Sequence, residues 1–121
     1  MKRPSILLAV LLTFVFALAA GAQDKKSDQQ LRTVHGSVLD KSENPVPSAV
    51  VYLKNSKTLS VKTYISDDSG RYRFSGLDVN VDYEIYAEHG DMASAEHTIS
   101  SFDDRKDIPL TLKLNKKKEN R

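Results

Sequence analysis

The segment Leu59-Ser60-Val61-Lys62-Thr63-Tyr64-Ile65-Ser66-Asp67-Asp68-Ser69-Gly70-Arg71-Tyr72-Arg73-Phe74 decides the fold. Leu59, Val61, Thr63 and Ile65 alternate with Ser60, Lys62, Tyr64 and Ser66, the period of two that marks a half-buried strand. Asp67-Asp68-Ser69-Gly70 then reads as a hairpin turn, because Gly70 accepts positive φ and the Asp side chains cap nearby N–H groups. Beyond it, Tyr72 and Phe74 face one way and Arg71 and Arg73 the other. This pattern predicts two strands whose inward residues are Leu59, Val61, Thr63 and Ile65 on one and Tyr72 and Phe74 on the other.

The same period extends outward. Upstream, Val34, Gly36 and Val38 alternate with His35 and Ser37, predicting a strand over 32–40. Asp40 to Pro47 is turn chemistry, since Pro45 and Pro47 fix φ and remove donors. Ala49, Val51 and Leu53 alternate with Val50, Tyr52 and Lys54, and Asn55-Ser56-Lys57 turns the chain. Downstream, Leu77 falls in a loop, and Val81, Tyr83, Ile85 and Ala87 alternate with Asp82, Glu84, Tyr86 and Glu88. Residues 92–99 alternate weakly, and residues 100–107 are polar apart from Phe102. Ile108, Leu110, Leu112 and Leu114 mark a last strand, which Pro109 places near an edge.

Seven candidate strands with regular turns predict an all-β fold, a seven-stranded antiparallel β-sandwich of immunoglobulin-like size. About twenty inward side chains, at ~1.5–3 kcal/mol per large apolar group buried, can hold such a domain together without disulfides. The chain has no Cys, which excludes thiol catalysis, Cys-ligated zinc and iron–sulfur chemistry.

The N-terminus carries a different signal. Lys2 and Arg3 precede an apolar run from Ile6 to Ala20 broken only by Thr13, and Ala20-Gly21-Ala22 is a small-x-small site before Gln23. The run is short of the ~20 residues a membrane span needs, so residues 1–22 read as a cleaved helical signal peptide rather than an anchor. The expected organisation is signal 1–22, flexible leader 23–31, sandwich 32–115 and basic tail 116–121. An exported protein, periplasmic or extracellular, with no stable membrane insertion after cleavage, follows from this reading.

Loss of Lys2 and Arg3 reduces the eighteen basic residues to sixteen, which balances the sixteen acidic ones. Lys113, Lys116, Lys117, Lys118 and Arg121 concentrate positive charge at the C-terminus against Glu119 alone, leaving a mildly acidic body. That body offers no electrostatic footprint for nucleic acid.

Four blocks occur in a recognisable order: Val34-x-Gly36-x-Val38-x-Asp40; Asn44-Pro45-Val46-Pro47-x-Ala49-x-Val51-x-Leu53; Ser66-Asp67-Asp68-Ser69-Gly70-Arg71-Tyr72-x-Phe74-x-Gly76-Leu77; and Tyr83-x-Ile85-x-Ala87. Together they resemble the carboxypeptidase regulatory-like domain family, whose members are transthyretin-like (prealbumin-like) sandwiches. The resemblance covers residues 32–114 and implies a binding, spacing or assembly role. Similar modules occur in exported bacterial proteins, and the family domain carries none of the zinc ligands of the carboxypeptidases it is named for. Each block has an architectural reason. Gly36 allows close approach of a neighbouring strand, and Tyr83 sits where a buried ring ties a corner through its hydroxyl.

Chemical sites are harder to find. His35, His89 and His97 lack the spacing of a metal centre, and Asp67 and Asp68 belong to a loop too short for an EF-hand. No Gly-x-Ser-x-Gly elbow is present, and Asp103-Asp104 lies in a polar loop. No catalytic residue, metal ligand or cofactor is expected. In related adhesin-type sandwiches a core Lys joins an Asn of the last strand; Lys41 and Asn115, with Glu84 or Glu88, are the poorly placed counterparts here. Tyr52, Tyr64 and Tyr86 all fall on the outward register and form the candidate ligand surface, able to stack on a glycan if their strands are neighbours. The leading expectation is a non-catalytic module that meets an envelope or extracellular protein through its outer sheet face or an edge strand. The alternatives are a carbohydrate-binding module or an accessory domain to a separately encoded hydrolase.

Overall fold

The computed structural model describes residues 30–119. The expected signal peptide and nearly all of the leader lie outside the described residues. Nine strands follow in order: β1 (Leu31–Leu39), β2 (Val50–Asn55), β3 (Val61–Ile65), β4 (Arg71–Asp78), β5 (Tyr83–His89), β6 (Met92–Ser94), β7 (His97–Ile99), β8 (Asp107–Pro109) and β9 (Leu112–Lys117). Hydrogen bonding connects them as β3-β2-β5-β6-β9-β1-β4, with β7 also on β5 and β8 also on β1. The result is a β-sandwich with its core between the β2–β5 and β1–β4 layers.

The expected count of seven antiparallel strands is therefore corrected to nine among the described residues. The stretch 92–99 divides into β6 and β7, and 108–114 into β8 and β9. Pro109 supplies the second break, because it has no N–H to continue a ladder. Both C-terminal pieces run parallel to β1, β8 alongside Thr33–His35 and β9 alongside Val38–Leu39. Strand β4 also extends further than expected and includes Leu77, which is buried. Strand β9 absorbs the first two residues of the expected tail, Lys116 and Lys117, pairing them with β6.

Most inward positions match the alternation. Val34, Val38, Ala49, Val51, Leu53, Tyr72, Phe74, Val81, Tyr83, Ile85, Ala87, Ile108, Leu112 and Leu114 are all buried. Gly36 lies directly beneath β8–β9: a Cβ there would collide with the carbonyl oxygen of Leu110. The Tyr72 hydroxyl donates to that same carbonyl at 2.6 Å. The Tyr83 hydroxyl accepts the Asp78 N–H at 2.9 Å and ties the β4–β5 corner.

Strand β3 departs from the expectation. Val51 pairs with Tyr64 and Leu53 with Lys62, so Tyr64 and Lys62 share the inner side. Val61, Thr63 and Ile65 face outward, and Val61 and Ile65 are 53% and 55% exposed. Every residue of β3 is exposed. The cause is local. Asp67–Gly70 is no hairpin between adjacent strands; it carries the chain from β3, paired with β2, across to β4, paired with β1. The parity of β3 is instead set at the β2–β3 turn, where Asn55 Oδ1 accepts the N–H groups of Lys57 and Thr58 and the Asn55 carbonyl accepts that of Leu59. Leu59 takes φ 66° there, outside any strand, and is exposed rather than inward.

A buried arginine holds the opposite end of the sandwich. Arg32 is 1% exposed. Its Nη1 donates to the carbonyls of Ser100 and Asp103, and its Nη2 to those of Asp78 and Val81. It thereby closes the β4–β5 and β7–β8 loops onto β1. Periodicity gives no hint of this role, because an Arg at an even position beside Val34 reads as one more β-strand residue with a solvated head.

Candidate functional site

Among the described strands, β7 and β8 are three-residue pieces paired on one side only, and the hydrogen-bonded path itself ends at two longer open edges, those of β3 and β4. They lie together on one flank of the sandwich, where the Tyr64 ring meets Phe74 edge-on at 5.9 Å. Which backbone groups each edge offers follows from the antiparallel hydrogen-bond pattern, in which alternate residue pairs exchange bonds.

On β3, Asn55 N donates to Ser60 O and Ser66 N to Ala49 O. These two bonds fix the bonded pairs of the β2–β3 register as Asn55/Ser60, Leu53/Lys62, Val51/Tyr64 and Ala49/Ser66. The N–H and C=O groups of Val61, Thr63 and Ile65 consequently point away from β2, toward the open edge. The three residues that present free backbone groups are also the three whose side chains face outward. Exposed apolar surface and unpaired backbone polar groups coincide along one short strand, and these are the features that recruit an added strand.

The β4 edge is built differently. Val38 N donates to Gly70 O, so Gly36/Tyr72 and Val34/Phe74 are bonded pairs and Arg71 and Arg73 point outward. Arg71 is already occupied: its carbonyl accepts the Asp67 N–H at 3.0 Å and its N–H donates to Asp67 Oδ1 at 2.9 Å. Asp67 Oδ1 also accepts the Ser69 N–H, and these bonds, led by that from Arg71, hold its carboxyl below the usual range. Gly70 supplies the required positive φ of 75°. A fold-back turn and two arginine side chains therefore blunt β4.

The candidate tyrosines divide between two faces. Tyr52 and Tyr86 are cross-strand partners on the outer face, stacked with ring centroids 4.8 Å apart and 21° between planes. Burial, together with the charge and a hydrogen bond of Glu88, raises the Tyr52 hydroxyl above its ordinary pKa. Glu88 falls on the outward register as expected, yet it is largely buried there and meets Lys118 Nζ at 3.6 Å. Tyr64 does not join the stripe: the shifted parity of β3 puts it on the inner side against Phe74, and Thr63 stands beside Tyr52 in its place. This corrects the outward placement expected for Tyr64.

The other sequence candidates stay apart. His35 Nε2 lies 3.2 Å from Asp107 Oδ2 at the surface, His89 ends β5 and His97 begins β7. Among the described residues no group of three or more His, Asp or Glu could hold a metal ion. Lys41 and Asn115 are both exposed, outside the core that a cross-link between them would need. Asp103, in the polar 100–107 loop, is held by Arg105: hydrogen bonds from its side chain and backbone bring the Asp103 pKa down to about 2. No described helix is long and apolar enough to cross a membrane.

These features define a prealbumin-like β-sandwich whose most distinctive surface is a strand edge. The chain belongs to the carboxypeptidase regulatory-like domain family, whose model matches residues 33–115. Among solved structures it is similar to catechol 1,2-dioxygenase from Acinetobacter sp. ADP1, at 12% identity and a TM-score of 0.55 over 74% of this chain and 53% of that one. It is also similar to BcpA, the major pilin subunit of Bacillus cereus, at 17% identity and a TM-score of 0.53 over 72% of this chain and 30% of that one. A third is the dioxygenase domain of a dioxygenase carbohydrate-binding protein fusion from Streptomyces sp. SirexAA-E, at 10% identity and a TM-score of 0.52 over 74% of this chain and 82% of that one. At these identities the likeness concerns the fold alone, and the chain spans about half or less of the first dioxygenase and the pilin. No curated protein sequence matches it.

Proposed function

We propose that this protein is an exported, non-catalytic interaction module that meets a protein partner of the cell envelope or exterior through the open edge of β3. The observation that carries the reading is the coincidence on Val61, Thr63 and Ile65 of outward backbone groups with exposed side chains. An incoming strand would gain main-chain hydrogen bonds and cover the outward apolar groups in one step. The assembly role of the neighbouring pilin fold is compatible with this use of a sandwich. Export rests on the Lys2–Ala22 signal pattern.

Thr63→Pro is the sharpest test. Its N–H faces the open edge, so proline removes a donor needed by a partner without breaking a bond to β2. The protein used as bait in cross-linked envelope extract is expected to retain partners that Thr63→Pro loses. Equal recovery by both baits removes the β3 reading. Export is checked by the N-terminus of the protein recovered from the envelope, expected at Gln23; recovery only from the cytoplasm with Met1 intact contradicts it.

A further inference from the structure

We infer that the partner strand at this edge is β3 of a second copy of the same chain, added antiparallel about a two-fold axis at Thr63. This rests on the reading of β3 as a docking edge and specifies its occupant. The β3 edge is self-complementary. A two-fold interface pairs each residue with its symmetry mate, so a strand pairs well with itself only when its two halves match.

A two-fold at Thr63 places Val61 opposite Ile65 of the second copy, Lys62 opposite Tyr64, and Thr63 opposite Thr63. Apolar side chains meet apolar ones on the outer face, and two threonines meet at the centre. On the inner side each Lys62 ammonium meets the Tyr64 ring of the second copy, a favourable contact between a cation and an aromatic face. The same axis uses the available backbone, because Val61, Thr63 and Ile65 are the residues whose N–H and C=O groups face out. Other registers do worse. An axis at Lys62 sets ammonium against ammonium, and an axis at Tyr64 sets Val61 against Asp67 and leaves part of the strand unpaired. The axis at Thr63 alone pairs all five residues within the strand.

The product is a continuous sheet across the axis, in which β5-β2-β3 joins β3-β2-β5 of the second copy. Its outer face carries a row running Glu84, Lys54, Val61, then Ile65, Val50 and Glu88 of the second copy. Charged residues lie at the ends of that row and apolar ones at its centre, the distribution expected of an interface with a polar rim. Five residues on each side make a small interface, so association is concentration-dependent and of modest strength.

The test is sedimentation of the protein, purified after expression of the full chain, from micromolar to millimolar concentration. Wild type is expected to shift from monomer to dimer across the series. Thr63→Pro is expected to weaken that association at least tenfold while keeping the wild-type unfolding transition. A complementation pair reads the register: Val61→Lys with Ile65→Lys in one chain, and Val61→Glu with Ile65→Glu in another. Each is expected to stay monomeric alone, with Lys opposite Lys or Glu opposite Glu, and the mixture is expected to form a heterodimer. A wild type that stays monomeric throughout overturns self-pairing; capture of a different protein by wild-type bait but not by Thr63→Pro bait then leaves the docking reading standing. Dimerisation undiminished by Thr63→Pro, or no heterodimer from the charged mixture, overturns it as well.

Discussion

Strands β3 and β4 are consecutive in the chain, sit on the same flank and both end a sheet, yet one edge is guarded and the other is open. β4 places Tyr72, Phe74 and Leu77 in the core and turns Arg71 and Arg73 outward. Its first outward backbone pair is closed by Asp67. β3 contributes no fully buried side chain and displays Val61 and Ile65 beside three free pairs of backbone groups. A strand that adds so little to the core and leaves its edge unguarded is poorly explained as a stability element. The contrast shows that edge protection is a choice made residue by residue, since the same flank holds both solutions.

The largest expected effect separates the two strands by stability. Phe74→Ala removes a buried ring and is expected to cost about 3–5 kcal/mol, whereas Val61→Thr on the exposed strand stays within about 0.5 kcal/mol. Chemical denaturation of both variants checks this, and a large loss at Val61 would mean that β3 is a core strand after all. Next comes the frame that fixes β4 and β1. Arg32→Ala leaves buried carbonyls without donors and is expected to cost about 3 kcal/mol, with the 100–106 loop released first. Gly36→Ala is expected to cost about 1–3 kcal/mol, because the new methyl group must displace the Leu110 carbonyl.

Smaller effects concern the guard on β4. Asp67→Ala is expected to free the Arg71 backbone groups and raise self-association through β4, which analytical ultracentrifugation can follow against wild type. Acid should act the same way. The folded carboxyl of Asp67 is depressed, so its stabilisation is present above the ordinary carboxylate pKa and is lost as pH falls through the folded value. The Asp103–Arg105 clamp behaves likewise, with its contribution lost between pH about 4 and about 2. Asp103→Asn is expected to abolish that step in an acid titration of loop exchange, while leaving the β3 edge unchanged.

Much of this fold was legible in the alternation. The buried faces of β1, β2, β4 and β5 follow from period two, and the glycine under Leu110 and the corner tyrosine were legible from the motif blocks that resemble the family. What failed was long-range. Alternation cannot tell inside from outside for a strand with apolar residues on one face and Tyr64 on the other, and the Asn55–Leu59 turn decided the parity. The Asp67–Gly70 signature correctly marked a turn, but a turn within one sheet and a crossing between two use the same local chemistry. The same one-residue shift explains why the three-tyrosine surface reduced to Tyr52 and Tyr86. The role of Arg32 was invisible because its partners are backbone carbonyls far along the chain, which no side-chain pattern encodes.

Residue-resolved amide exchange at low and high protein concentration tests the open β3 edge most directly. Slow exchange is expected at Lys62, Tyr64 and Ser66, whose N–H groups bond β2, and fast exchange at Val61, Thr63 and Ile65 when dilute. Those three amides should become protected as concentration rises. Protection of Val61, Thr63 and Ile65 already at dilution, or exchange that stays fast at every concentration, would contradict an edge that pairs with a second copy.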